Sequence, residues 1–200
     1  MEFIRRASGR PHRIGVLPGA FNPVTTAHLA LARSALGELD EVVFVLPRAF
    51  PHKDYWGASF PDRLALLEAA VEAEPKLSIA VSEGGLFRDI ARECREAYGG
   101  DASLSFVCGR DAAERIVNWD YGQAGAIGEM LREFELLVAE RAGRYVPPDE
   151  LRDAIRLLRV EQGLDEVSST EVRERIASGE EWEHLVPPTI REQVRRIYQR

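Results

Sequence analysis

The sequence has few cysteines and no long apolar run. Only two cysteines, Cys94 and Cys108, occur in 200 residues. Their spacing matches no metal-binding pattern, and so few thiols indicate a reduced, cytoplasmic chain. No apolar stretch approaches the roughly 20 residues that a membrane-spanning helix needs. We also expect no secretory signal, because the opening residues are too charged to form an apolar signal segment.

An excess of basic residues is missing as well. Lys and Arg number 26 against 33 Asp and Glu, which gives a formal net charge of −7. Proteins that bind nucleic acid are normally basic, so we do not expect nucleic acid as a partner. Because the sequence has no long apolar run, we do not expect a membrane as a partner either. A local basic pocket for phosphates is compatible with this charge. The remaining composition, 45% hydrophobic and 30% charged, is typical of a globular domain with a full core.

The most informative stretch is residues 13–31. A short apolar run at 14–17 is followed by a loop of breakers and then by a helical pattern that starts near Thr26. This order places backbone N–H groups and a helix N-terminus at the end of a parallel sheet, where phosphate binds. Thr25 and His28 share one face at the helix start. A donating imidazole there suits a phosphoryl group whose charge must be stabilised during transfer.

The same loop and helix start carry a motif. Residues 19–28 read Gly-Ala-Phe-Asn-Pro-Val-Thr-Thr-Ala-His. They resemble the signature of the nucleotidylyltransferase superfamily, a Gly-x-Phe-(Asn/Asp)-Pro loop leading into (His/Thr)-x-x-His. Within it, the sequence is most similar to the nicotinate/nicotinamide mononucleotide adenylyltransferases, although Pro18 and Ala27 stand where many relatives have Gly. The resemblance implies that His28 and Thr25 hold ATP phosphates, and that the backbone approaches the nucleotide at Gly19, Ala20 and Phe21.

A second motif lies at residues 167–173, which read Val-Ser-Ser-Thr-Glu-Val-Arg. Hydroxyls at a helix start cap it and add donors beside its exposed N–H groups. Taken alone, the pattern is more typical of a capped amphipathic helix. It resembles the family's Ile-Ser-Ser-Thr-x-x-Arg motif, which implies that Arg173 clamps a phosphate and that the triphosphate is bound by Ser168, Ser169 and Thr170.

A basic loop, Pro51-His52-Lys53, follows an apolar run at 41–46. Ligands of open α/β sheets bind at the carboxyl ends of strands, where this loop is expected. It resembles the Pro-His-Lys loop of bacterial members of the family, in which the lysine is associated with the nucleotide phosphates. The alternative is a solvated basic loop. The Asp62-Arg63 pair that opens the next helix also resembles the family, and we expect a structural role for it.

The acceptor side is indicated by Gly109, Asp111 and Trp119, which follow an apolar run at 104–108. They resemble the family's Gly-x-Asp and a Trp about eight residues later. The resemblance implies that Asp111 binds a ribose and that Trp119 stacks on the acceptor base. Taken alone, Asp111 could instead be a helix N-cap and Trp119 a core indole.

Residues 85–90 depart from the family pattern. Bacterial relatives carry a Ser/Thr-Tyr-Thr run before an Asp-Thr-Leu segment here, and only Asp89 and Ile90 match it. The family segment helps to hold the pyridine nucleotide. The departure therefore leaves open both the acceptor and the choice between nicotinate and nicotinamide.

The pattern of elements predicts an α/β fold, and the resemblance implies a Rossmann-like parallel sheet with helices on both faces and a small C-terminal helical element. We expect one domain over residues 13–200, with 1–12 as a loose leader and about 168–200 as the C-terminal helical part. The basic end, 195–200, is predicted to be a solvated helix face. Predicted helices include about 26–37, 87–98 and 149–158, and predicted strands cover about 13–17, 41–46, 77–81, 104–108, 134–139 and part of 158–167.

The resemblance implies a reaction that transfers AMP from ATP to nicotinate or nicotinamide mononucleotide, releasing pyrophosphate and forming the dinucleotide in NAD biosynthesis. Mg²⁺ would accompany ATP, held by phosphate oxygens and water rather than by a dedicated protein site. Two alternatives stay open: the same chemistry on phosphopantetheine or a sugar or alcohol phosphate, and a nucleotide-binding module without catalysis. We expect small-molecule partners, and the sequence leaves open whether the chain forms a homo-oligomer.

Overall fold

One β-sheet forms the centre of the computed structural model, which describes residues 1–49, 57–119, 121–122, 125–139, 145–160 and 167–199. Within these residues the sheet has seven strands. They are β1 (Glu2–Arg5), β2 (Arg13–Pro18), β3 (Glu41–Pro47), β4 (Leu77–Ser82), β5 (Ser103–Gly109), β6 (Glu135–Ala139) and β7 (Ile155–Leu158).

The strand order is β1-β4-β3-β2-β5-β6-β7. The strands from β2 to β7 pair in parallel, and β1 pairs antiparallel with β4. Because β3 and β4 lie on one side of β2 and β5 to β7 on the other, the order reverses between β2 and β5. Open α/β sheets bind ligands at such a reversal, outside the carboxyl ends of the strands.

Helices cover both faces of this sheet. Alternating side chains of β3 enter two clusters, with Phe44 and Leu46 on one face and Val43 and Val45 on the other. The first face is covered by α1 (Thr26–Ala35), α2 (Phe60–Val71), α6 (Ser169–Ser178) and α7 (Arg191–Tyr198). The second is covered by α3 (Phe87–Tyr98), α4 (Arg110–Val117) and α5 (Ala126–Met130). The predicted fold class is confirmed.

The expectation of a loose leader at residues 1–12 is wrong for its first part. Glu2–Arg5 is an edge strand, with Phe3 opposite Ala80 of β4. The ring of Phe3 packs edge-on against Tyr98, and the Arg5 guanidinium donates to the carbonyl of Glu74. A four-residue strand carries too short a pattern to be recognised in the sequence, and these tertiary contacts hold it in place.

The predicted helix over 149–158 is also wrong. Residues Asp149–Leu151 form a short 3-10 helix, and Ile155–Leu158 is β7, which pairs with β6 and so precedes the position predicted for the last strand. Leu151, Ile155 and Leu158 are buried. Their spacing is also that of one helix face, so the apolar pattern alone could not distinguish the two structures. The rest of that predicted strand, 161–166, lies outside the described residues.

A buried polar cluster stabilises the end of the sheet opposite to the carboxyl ends. Glu41, only 2% exposed, accepts a hydrogen bond of 2.5 Å from the Ser78 hydroxyl and another from the Tyr98 hydroxyl. The Ser78 oxygen in turn accepts from the N–H of Ala7. Burial, followed by the interaction with Glu41, raises the pKa of Tyr98 above its ordinary value. The cluster satisfies a carboxylate that would otherwise be costly to bury.

The two cysteines are buried side chains of the second cluster. Burial raises the pKa of each thiol, Cys94 and Cys108, to about 12. Such thiols are inert at neutral pH, because the thiolate is the reactive form. In the part of the chain that the structure describes, every helix is too short or too polar to cross a membrane.

Gly15 marks the closest packing of β2 against its neighbours. A Cβ at this position would lie 2.8 Å from Leu39 Cδ1 and 2.9 Å from Val42 Cγ2. Gly100, on the surface after α3, has no heavy atom within 4 Å of the same built position. The two glycines therefore offer a matched pair for testing core packing.

We expect Gly15→Ala to lower the free energy of unfolding by about 1–3 kcal/mol, because the added methyl overpacks the core. Gly100→Ala should be neutral or should raise the free energy of unfolding by about 0.4–1 kcal/mol, because alanine restricts the unfolded chain and meets no atom in the folded one. The restriction of the unfolded chain is the same in both variants, so the difference between them reports the packing. Urea unfolding of the two variants measures the difference. Equal stability of the two would contradict the packing around Gly15.

Candidate active site

The two sequence motifs meet at the carboxyl edge of the sheet. Residues 19–23, here called the motif loop, leave the end of β2 and lead into α1. The start of α6 lies beside this loop, because the Ser169 hydroxyl donates a hydrogen bond of 2.7 Å to the carbonyl of Pro23, 146 residues away. Lys53, with Pro51 and His52, lies outside the described residues. The structure thus joins the first and second motifs in one site.

The motif loop has an irregular backbone that packs tightly. Gly19 donates its N–H to the carbonyl of Val45 at 3.0 Å, and Phe21 has a φ of +47°. The buried Phe21 ring lies edge-on to both His28 and Phe44, at 5.3 Å between ring centroids in each case. A Cβ on Gly19 would lie 2.9 Å from atoms of the Phe21 ring. Glycine is required at 19 because the aromatic ring occupies the space of a side chain.

Thr25 and His28 form a capping box at the start of α1. The Thr25 N–H donates to His28 Nδ1 at 3.0 Å, and the Thr25 hydroxyl oxygen lies 2.7 Å from the same nitrogen. The His28 N–H donates back to that hydroxyl at 3.4 Å. Because Nδ1 accepts the main-chain N–H, the proton of the neutral ring is assigned to Nε2. The half-buried imidazole therefore presents a hydrogen-bond donor at Nε2.

Residues of the second motif cap α6 and also bind the motif loop. Ser168 is the N-cap, and its side chain accepts from the N–H of Glu171 at 3.0 Å. Arg173 Nη1 donates to the carbonyls of Asn22 at 2.6 Å and Ser169 at 3.0 Å. The other terminal nitrogen, Nη2, lies 3.3 Å from the Thr170 hydroxyl. Arg173 thus binds main-chain oxygens of the loop in addition to the phosphate contact predicted for it.

Two further side chains hold the motif loop: Arg63, for which a structural role was predicted without a partner, and Tyr198, which the sequence patterns did not identify. The buried Arg63 donates to the carbonyl of Ala20 at 2.8 Å. Tyr198 donates its hydroxyl to Asn22 Oδ1 at 2.5 Å. Arg195 and Arg196 are exposed, as predicted for the basic end, whereas Tyr198 lies on a packed side of α7. The available signal was the four-residue spacing from the fully buried Val194, which places Tyr198 on the same face of α7.

The predicted acceptor residues Gly109, Asp111 and Asp89 lie on the connections after β5 and β4, whereas Trp119 follows the end of α4. Gly109 is the N-cap residue of α4, so the N-cap alternative for Asp111 is wrong, and Asp111 is an exposed residue in the first helical turn. Trp119 is 51% exposed, which excludes the core-indole alternative. Asp89 lies in the first turn of α3 after β4, two strands from the motif loop, and pairs with Arg92 at 3.6 Å.

The sheet separates the two groups of predicted site residues into different layers. The phosphate-side residues His28, Ser169 and Arg173 belong to α1 and α6, on the first face. The acceptor-side residues Asp89 and Asp111 belong to α3 and α4, on the second face. Both groups reach the carboxyl edge, where the strand order reverses between β2 and β5. A ligand across this edge could contact both layers.

Comparisons with known proteins match one family model, several named relatives and solved structures of the same fold. A family model described as cytidylyltransferase-like matches residues 16–175. A Bordetella avium protein named "probable nicotinate-nucleotide adenylyltransferase" is 34% identical, over 88% of this chain and 91% of its own length. A protein of the same name from Moorella thermoacetica is 30% identical, over 93% and 90%. The Plasmodium falciparum nicotinic acid mononucleotide adenylyltransferase complexed with NaAD superposes with a TM-score of 0.71 at 18% identity, covering 92% of this chain and 95% of that chain.

We expect the His28 ring to occupy the Nε2–H tautomer, because Nδ1 accepts the Thr25 N–H. Two-bond proton–nitrogen correlation spectra of the imidazoles in mildly alkaline solution will report it. The exposed His12 serves as a reference in the same spectrum. A proton on Nδ1 of His28 would contradict the capping geometry.

Proposed function

The chain belongs to the cytidylyltransferase-like family, and on this premise we propose that it is a nicotinate-nucleotide adenylyltransferase. It transfers AMP from ATP to nicotinate mononucleotide, releases pyrophosphate and forms the dinucleotide in NAD biosynthesis. One observation carries the proposal: Ser169 and Arg173 of the second motif bind the loop that leads into the His28 capping box. Named relatives that align over about nine-tenths of the chain support the choice of acceptor.

The reaction joins a phosphate oxygen of the mononucleotide to the α-phosphorus of ATP. It breaks the bond between that phosphorus and the oxygen bridging to the β-phosphorus, and this oxygen leaves with pyrophosphate. The attacking oxygen is already anionic at neutral pH, so the site needs no strong general base. Catalysis then depends on positioning and on neutralising charge that develops on the phosphates. His28 supplies a fixed donor at Nε2 for this purpose. Thr25, which is fully buried, acts through His28 by orienting its ring.

The remaining phosphate contacts are assigned to the start of α6 and to two cations. Hydroxyls and main-chain N–H groups at a helix N-terminus suit the triphosphate. Arg173 is held by the carbonyls of Asn22 and Ser169, so its position is fixed before ATP arrives. Lys53 would add a second positive charge, as its motif predicts. We assign the triphosphate to Ser168, Ser169 and Thr170, and the close backbone approach to Gly19, Ala20 and Phe21.

The acceptor is assigned to the second layer of the site. Asp111, an exposed carboxylate near the end of β5, suits hydrogen bonding to ribose hydroxyls. Trp119 exposes half of its surface after α4, which suits stacking on the pyridine ring. Gly109, where β5 ends, and Asp89, after β4, are assigned to the acceptor from their motif positions.

Mg²⁺ is proposed as part of the MgATP substrate. Within the described residues no group of three or more His, Cys, Asp or Glu side chains could hold a metal ion. The hydroxyl, amide and cationic groups at the start of α6 instead fit the phosphates that would carry it. When bound, Mg²⁺ neutralises charge on the triphosphate. Cytoplasmic location and a homo-oligomer stay predictions.

Pyrophosphate release from MgATP and nicotinate mononucleotide tests the proposal. We expect His28→Ala to lower turnover by at least ~10²-fold, the scale of losing one transition-state donor. His12→Ala is the matched control, because His12 is exposed at the opposite end of the sheet. Near-normal turnover in a folded His28→Ala protein would overturn the role of His28.

The acceptor is tested by running the same assay with nicotinamide mononucleotide, phosphopantetheine and a panel of sugar phosphates. We expect the highest kcat/KM with nicotinate mononucleotide. Turnover with another phosphate alone would retain the chemistry and replace the acceptor. ATP binding without pyrophosphate release from any of them would favour a non-catalytic module.

A further inference from the structure

Tyr198 connects α7 to the motif loop through one short hydrogen bond. Its hydroxyl donates to Asn22 Oδ1 at 2.5 Å, across 176 residues of sequence, and Asn22 is 5% exposed. We propose that Tyr198 is a positioning residue that holds the motif loop in its ATP-binding conformation and so sets the affinity for ATP. The proposal rests on the proposed function of the site. Tyr198 lies outside both sequence motifs.

The motif loop needs such support because its conformation depends on hydrogen bonds from other elements. Phe21 has a φ of +47°, a conformation that a residue with a Cβ seldom adopts. Three carbonyls of the loop are held by side chains of other elements rather than by a helix or sheet ladder. The donors are Arg63 for Ala20, Arg173 for Asn22 and Ser169 for Pro23. Tyr198 differs from these donors because it holds the side chain of Asn22.

The donor itself comes from a firmly seated helix. Val194, one turn before Tyr198, is fully buried in the first cluster, and Ile190 just before α7 is fully buried as well. Burial raises the pKa of Tyr198, although the nearby Arg173 and Arg63 oppose the shift. The hydroxyl therefore keeps its proton at neutral pH and remains a donor. A hydrogen bond from a fixed donor can select one conformation of the loop that accepts it.

The pair of Tyr198 and Asn22 also borders a second connection at the same edge. Gly57 has a φ of +105° and precedes α2, which follows β3. A Cβ at Gly57 would lie 3.3 Å from Tyr198 Cε1 and 3.5 Å from Asn22 Oδ1. The hydrogen bond is thus bordered on one side by Gly57. Because residue 57 is a glycine, no side chain at this position competes for the hydrogen bond between Tyr198 and Asn22.

Tyr198→Phe tests the proposal, with Tyr98→Phe as the matched control. Each substitution removes one half-buried hydroxyl that donates to a buried side-chain oxygen and leaves the ring in place. Tyr98 lies at the opposite end of the sheet, on Glu41. We expect Tyr198→Phe to weaken ATP binding roughly five- to thirty-fold, the scale of one hydrogen bond to a buried group. Tyr98→Phe should lower the melting temperature and leave the Kd for ATP unchanged.

Calorimetric titration with a non-hydrolysable ATP analogue, without acceptor, measures the Kd directly. Steady-state kinetics should show the same rise in KM for ATP with a smaller change in kcat, because the loop is reordered once ATP is bound. An unchanged Kd in folded Tyr198→Phe protein would overturn the proposal, even if its melting temperature fell. If the wild-type chain releases no pyrophosphate, the proposed function is refuted. The two failures can be distinguished, because the Kd for the ATP analogue is measured without turnover.

Asn22→Ala removes the acceptor of the same bond and serves as the second variant if Tyr198→Phe does not fold. When both fold, the double variant completes a double-mutant cycle. We expect the double variant to bind the ATP analogue no more weakly than Asn22→Ala alone, because the hydrogen bond is already lost. Independent, additive losses of affinity would show that the two residues act separately and would overturn the proposal.

Discussion

The hydrogen bond from the Thr25 N–H to His28 Nδ1 is the contact on which the proposed catalytic arrangement depends. The first turn of any helix leaves N–H groups without intrahelical acceptors. Here one of these N–H groups binds a histidine ring, so the bond that stabilises the start of α1 also fixes the tautomer of the imidazole. Helix formation and the orientation of the donor are consequently one event. The neighbouring Phe21 ring, which lies edge-on to the imidazole, restricts its remaining movement.

Beside this bond, carbonyls of the motif loop are bound by side chains from other elements of the fold. A loop commonly satisfies its carbonyls with water or with its own turns, whereas here the carbonyls of Ala20, Asn22 and Pro23 accept hydrogen bonds from side chains of α2 and α6. The guanidinium groups of Arg63 and Arg173 are ordered by the backbone they bind. Arg173, the arginine proposed to contact a phosphate, is thereby held in place by the loop. Such prior ordering reduces the entropy that phosphate binding must overcome.

Most of the sheet could be predicted because its central strands are continuous apolar runs bounded by breakers, as in β3 and β4. β1 and β7 could not, because β1 is too short to show a pattern and β7 shares its apolar spacing with a helix. In the site, side chains within motifs were recognisable. The spacing from Val194 can place Tyr198 on the packed face of α7, but the loop oxygens that Arg63 and Tyr198 bind are distant in sequence and could not be predicted. The role of Lys53 stays a prediction.

The division of the site between the two faces of the sheet has an evolutionary consequence. His28 and Arg173, assigned to ATP, belong to helices of the first layer, whereas Asp89 and Asp111, assigned to the acceptor, belong to helices of the second. A substitution that reshapes the connection after β4, such as the divergent residues 85–90, is insulated from the phosphate-binding layer by the sheet itself. Descendants of such a protein can therefore change the molecule they adenylylate while inheriting the ATP half intact. The same architecture makes the acceptor layer the natural target for directed evolution.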